Sequence, residues 1–193
     1  MIEREESYVA PALVTPQEPQ ILQKMRENGA TLFPTAFGAC GLAWNDTGLV
    51  GFRLPDPNAE QPSQALSDKS LPLWAASLID RVQLHLSGAL QDFTDVPIDW
   101  SAVSAFSQGV YRETQAIKPG HCRSYGDIAH ALGFGPETAR AVGVALAMNP
   151  WPLIVPCHRV VAANGKMTGF SAPGGIRTKT RLLVLEGAEL LSE

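Results

Sequence analysis

Cysteine is scarce in this chain. Its 193 residues hold three, Cys40, Cys122 and Cys157. No two form a CxxC pair and the number is odd, so neither a disulfide framework nor a zinc ribbon is expected. Long apolar runs are missing as well, which argues against a membrane span. The leading MIEREESYVAP is acidic and polar, without the apolar stretch of a secretory signal. These features predict a cytoplasmic protein, nuclear if the source is eukaryotic. Net positive charge is also lacking, the formal charge being −4. Taken whole, that argues against a nucleic-acid partner. The imbalance is uneven, however: residues 101–193 carry nine Lys/Arg against six Asp/Glu, and residues 1–100 six against thirteen. DNA contact through the second half, of modest and salt-sensitive affinity, is compatible with this. Ordinary surface variation accounts for the same numbers.

What is present divides into two parts. Residues 1–18 read as an irregular arm and residues 19–29 as a short helix stopped by Gly29. GACGLAW (38–44) and GLVGFRL (48–54) flank Asn45-Asp46-Thr47 and read as a hairpin. Residues 55–70 are rich in Pro, Ser and Asp and read as a loop. Leu73, Trp74, Leu78, Val82 and Leu86 recur at helical spacing up to Gly88. After a linker over 91–103, a helix near 104–116 carries Phe106, Val110 and Ile117 as its apolar stripe. Ser124 and Asp127 resemble a capping box opening YGDIAHAL, with Gly133 at its C-cap. Pro136 suits the start of PETARAVGVALAMN, which Asn149-Pro150 ends. Two helices around a Gly-containing turn form a helix-turn-helix. A last helix, IRTKTRLLVLE, is capped by Gly187. The predicted class is α+β: a small N-terminal α/β domain over 1–98, then a mostly helical domain over 99–193.

The second helix of the pair has almost no side chains able to read base edges; Ala139, Ala141, Gly143, Ala145 and Ala147 leave Arg140 as its one long cation. A smooth face suits close approach of a duplex backbone. It equally suits tight packing on a neighbouring helix.

LIVPCHRVVAANG (153–165) places Cys157, His158 and Arg159 inside an apolar segment. On a regular strand Cys157 and His158 would face opposite ways. Proline restricts its surroundings, so a turn at Pro156-Cys157 would bring them together. A reactive thiol needs its pKa lowered, and His158 and Arg159 are the local candidates. An inert core cysteine is the alternative. The other histidines, His85, His121 and His130, show no metal-ligand spacing.

VPCHRVVAANGKMTGF closely resembles the active-site signature of the O6-alkylguanine-DNA alkyltransferases, the methylated-DNA–protein-cysteine methyltransferases. SYGDIAHALGF is similar to that family's first DNA-binding helix, TARAVGVALAMNP to its recognition helix and asparagine hinge, and GGIRTKTRLLVLEG to its last helix. The first half fits more loosely, its hairpin and acidic loop being similar to the family's ribonuclease-H-like domain. The resemblance implies direct repair of O6-alkylguanine, and as a second candidate O4-alkylthymine, in double-stranded DNA. The flipped base would lose its alkyl group to Cys157 in a single turnover. It implies His158 as water-linked base, Glu186 as the group orienting it, and Asn149 as hinge. Tyr125 would assist rotation and hydrogen-bond the base. Arg140 would fill the vacated stack. Ala139, Ala141, Gly143 and Arg159 would lie on the DNA side, and Phe170 and Ser171 would wall the pocket. It implies a monomer with no cofactor, no metal and no membrane partner. Ala172-Pro173, between Ser171 and Gly174-Gly175, departs from the family pattern. Alternatives from other classes are a non-catalytic lesion binder, a helix-turn-helix regulator and a cysteine hydrolase.

Overall fold

The computed structural model describes residues 29–56 and 70–188. The predicted helix over 19–29, apart from Gly29, which begins a strand, and most of the loop over 55–70 lie outside these residues. Strand β1 (Gly29–Thr35), β2 (Gly38–Trp44) and β3 (Leu49–Arg53) form an antiparallel sheet in that order. The expected hairpin is β2–β3. Strand β1 is the addition: Thr35 turns the chain by donating its hydroxyl to Gly38 O at 2.7 Å and accepting the Phe37 amide at 3.1 Å. The second turn is held by Asn45, whose side-chain oxygen accepts the amides of Thr47 and Gly48 at 2.9 and 3.0 Å. Gly48 is required there, because a Cβ would collide with the Pro97 carbonyl.

Helix α1 (Leu73–Leu86) packs against β1. Leu73, counted in the apolar stripe, is instead 90% exposed, and the buried line is Ala75, Leu78, Val82, His85 and Leu86. The free edge of β3 meets the rest of the chain. Leu49 N–H donates to Pro97 O at 2.8 Å, Phe52 N–H to Pro150 O at 2.9 Å, and Trp151 Nε1 to Leu49 O at 3.1 Å. One hydrophobic core therefore runs from Phe33 in the sheet to Leu182 near the C-terminus.

Helix α2 (Ala105–Gln115) starts on a Ser104 cap. Its Tyr111 hydroxyl donates to Ala145 O at 2.8 Å, fixing α2 to the second helix of the helix-turn-helix. That pair is α3 (Tyr125–Ala131), a turn through Gly133 at φ 81°, a 3-10 turn over Pro136–Thr138, and α4 (Ala139–Ala147). The capping box is complete: Ser124 Oγ accepts the Asp127 amide at 3.0 Å, and Asp127 Oδ2 accepts the Ser124 amide at 2.8 Å. Past Cys157 the chain enters β5 (Val160–Val161), which pairs in parallel with β4 (Arg123–Ser124), the two residues just before α3, and the last described helix is α5 (Gly175–Leu185). Gly187, at φ 62°, closes α5. No described helix is long and apolar enough to cross a membrane.

The capping box positions both Tyr125 and β4. Ser124→Ala should lower stability by about 1 kcal/mol, read as a lower urea midpoint with unchanged slope.

Candidate active site

The segment before Cys157 is not a strand. Leu153 holds φ at 78°, a left-handed conformation that bulky residues avoid, and it is fully buried. Asn149 secures the segment. Its Oδ1 accepts the Trp151 amide at 3.0 Å, while its Nδ2 donates to Val155 O at 2.9 Å and to Cys157 Sγ at 3.3 Å. Pro156 is followed by a 3-10 turn, Cys157–Arg159. The expected turn at Pro156-Cys157 is present, and it places His158 inward.

Glu186, one residue past α5, is where the site converges. Its Oε1 accepts from His158 Nε2 at 3.0 Å, from His85 Nε2 at 3.1 Å and from Arg159 Nη2 at 2.8 Å. Its Oε2 accepts from Arg159 Nε at 2.9 Å. Glu186, His158, His85 and Arg159 are all buried. These hydrogen bonds outweigh desolvation and hold the Glu186 carboxyl well below the usual carboxylate range. Arg159 completes its set by donating to Ile117 O at 2.5 Å. This corrects the expectation that Arg159 lies on the DNA side: at 4% exposure its guanidinium is enclosed by Glu186 and Ile117.

The resting site does not give Cys157 the lowered thiol pKa that was expected. Burial pushes its thiol above the ordinary range, against the opposing pulls of the Asn149 hydrogen bond and the Lys179 charge. Burial likewise pulls His158 down, more strongly than Glu186 raises it. The pair rests as neutral thiol and neutral imidazole. His158 Nδ1 is buried and has no hydrogen-bond partner among the described residues. With Nε2 held by Glu186, it is the lone pair left to accept a proton.

The sequence reading missed two groups. Lys179 is fully buried, and its ammonium donates to Val160 O at 2.6 Å. It is the cation acting on Cys157. Only its place among the apolar residues of α5 hinted at this. His85 is the other; its spacing from Leu78 and Val82 put it on the buried face of α1, a signal that was available.

Tyr125 is half-buried; its hydroxyl accepts from Thr168 Oγ1 at 3.2 Å, and its ring lies 3.7 Å from where a Cβ on Gly143 would stand. Arg140 and Ala141 are exposed on α4 and Ala139 half-exposed, with Val144 and Met148 at 62% and 59%. Gly143 therefore faces the Tyr125 ring. Phe170 is half-buried against the core and Ser171 is exposed. Ala172-Pro173 forms a tight turn into α5: Gly175 N–H donates to Ala172 O at 3.0 Å and Thr178 Oγ1 to Pro173 O at 2.8 Å. Among the described residues, no three His, Cys, Asp or Glu side chains are grouped to hold a metal ion.

The profile of the 6-O-methylguanine DNA methyltransferase, DNA binding domain, matches residues 105–188. A methylated-DNA–protein-cysteine methyltransferase of Mycolicibacterium paratuberculosis is 38% identical over 149 residues, covering 77% of this chain and 86% of that one. One from Methanothermobacter thermautotrophicus is 31% identical over 150 residues, covering 78% and 80%. A crystal structure of Mycobacterium tuberculosis OGT in complex with DNA superposes with a TM-score of 0.66 at 35% identity, covering 81% of this chain and 92% of that one.

Removing the charge of Glu186 while Arg159 stays buried should cost about 3–5 kcal/mol. A carboxyl held below its unfolded value of about 4.3 stabilises fully above that pH and loses the contribution as pH falls toward the folded value. The urea-stability gap between wild type and Glu186→Gln should be widest at neutral pH and narrow below about pH 4.

Proposed function

Because the chain belongs to the methylated-DNA–protein-cysteine methyltransferase family, we propose that it repairs DNA by moving an alkyl group from O6-alkylguanine to Cys157. Double-stranded DNA is the partner, and O4-alkylthymine is a second candidate lesion. The observation that carries the reading is Cys157, hydrogen-bonded by half-buried Asn149, next in the chain to buried His158, whose Nε2 is held by Glu186. It supplies a nucleophile, a base with one open nitrogen and an orienting carboxylate.

The chemistry follows from these groups. Cys157 Sγ attacks the sp³ carbon on O6; the S–C bond forms as the C–O bond breaks. The thiol proton passes, through a water, to His158 Nδ1, and Glu186 stabilises the imidazolium. The departing guanine anion takes up one proton from water and His158 gives its proton back to water, so the net reaction is proton-neutral. Tyr125 donates a hydrogen bond to the base and stabilises its developing charge. The thioether is stable, so each molecule acts once, and no cofactor enters.

The target base must leave the helix to reach a buried sulfur. The exposed face of α4, with Arg140 among small and apolar side chains, suits close approach to the duplex, Arg140 filling the vacated stack. Phe170 and Ser171 wall the pocket. The sheet with α1 serves as a ribonuclease-H-like unit over 1–98, and 99–193 as the DNA-binding and acceptor unit, acting as a monomer.

Mixing the protein with a duplex carrying O6-methylguanine should add one methyl group to its intact mass, mapped to Cys157 by peptide sequencing. Cys157→Ser should abolish the gain and keep most DNA affinity. Methylation at Cys122, or repeated turnover, would overturn the assignment. Arg140→Ala should slow transfer from duplex by about ten- to a hundredfold, since unstacking a base costs a few kcal/mol. Reaction with free O6-benzylguanine should be nearly unchanged. Equal losses on both substrates would make Arg140 a scaffold residue.

A further inference from the structure

His85 stands outside the relay from Cys157 to Glu186, yet it touches its end. It comes from α1, on the far side of the fold in sequence, and is fully buried. Its Nδ1 accepts the backbone amide of Gln91 at 3.0 Å. That bond needs a bare Nδ1, so the hydrogen sits on Nε2 and is donated to Glu186 Oε1 at 3.1 Å. Phe93 packs its ring 5.4 Å from the imidazole and fixes the ring plane. Two imidazoles thus share one carboxylate oxygen, with only His158 keeping an unpartnered nitrogen among the described residues.

We propose that His85 is a positioning residue of the alkyl-transfer site, holding Glu186 from α1 and setting how readily His158 Nδ1 takes up a proton. The inference rests on the alkyl-transfer reading for its purpose, but not for its physics. Each donor on Oε1 draws on the same negative charge that must stabilise the His158 imidazolium. A donor at His85 therefore holds His158 back from protonation. The charged and titratable groups facing His158 are Glu186, Arg159 and His85. Cys157 adjoins it, and Lys179 and Cys122 share the same surroundings. Of these, His85 alone belongs to the N-terminal sheet-and-helix layer, so the seating of that layer bears on the chemistry.

The test uses the full chain, as wild type, His85→Phe and His85→Gln. His158 is followed by imidazole NMR against pH, Cys157 by its rate of alkylation with iodoacetamide across the same range, and methyl transfer by intact mass. His85→Phe should move the His158 midpoint up by about one pH unit, the size of one redistributed hydrogen bond to a charged group. The acid limb of Cys157 alkylation should move with it. His85→Gln, which keeps a donor, should restore the wild-type midpoint. A lower melting temperature with an unmoved midpoint would overturn the proposal, as would a Gln variant displaced as far as Phe. If the Phe variant does not fold, nitrogen shifts of the wild type decide: a His85 with hydrogen on Nδ1 refutes the donor. A wild type that accepts no methyl group would sink the alkyl-transfer reading, while the titration still decides the coupling.

Discussion

The structure depends on one buried carboxylate. Glu186 accepts four hydrogen bonds from three side chains that arrive on different segments: His85 from α1, and His158 and Arg159 from the turn after Pro156. A charge taken from water is tolerated only when its lone pairs are filled and a counter-charge lies close, and Arg159 supplies the latter. Neither α1 nor the Cys157 turn nor the end of α5 can shift without breaking one of these bonds. The carboxylate is therefore the clasp between layers, and in the proposed mechanism it is also the last member of the relay.

The same burial explains why the thiol and imidazole rest neutral. Desolvation penalises the thiolate and the imidazolium separately; Lys179 only partly offsets the first and Glu186 only partly the second. Forming the ion pair is thus uphill in the resting site. The arrangement differs from a surface thiol activated in advance by an adjacent positive charge. Here the positive charge nearest in sequence, Arg159, already belongs to Glu186.

Local rules were legible in the sequence. The Ser124–Asp127 box, the Asn45 turn and the Gly187 stop involve neighbours within a few residues, so residue type and spacing suffice. The turn at Pro156 was legible because proline and the Cys-His adjacency left few alternatives. Strand β1 was not, since the sequence reading ended a helix at Gly29 and began the sheet only at Gly38, leaving ATLFPT unassigned. The direction of Arg159 and the depth of Lys179 were hidden as well, because adjacency along the chain says nothing of which way a side chain turns. The raised thiol belongs to the same class: desolvation is a property of the finished packing, and no motif encodes it.

Cys157 is 6% exposed and holds its proton. Peroxide attacks the thiolate, and the oxidation ladder from sulfenic to sulfonic acid begins there. A sulfur kept protonated and screened from solvent is therefore slow to oxidise. Under the proposed role of Cys157 as a group that reacts once and is not regenerated, that slowness is a storage property: the sulfur survives in reduced form until it meets an electrophile.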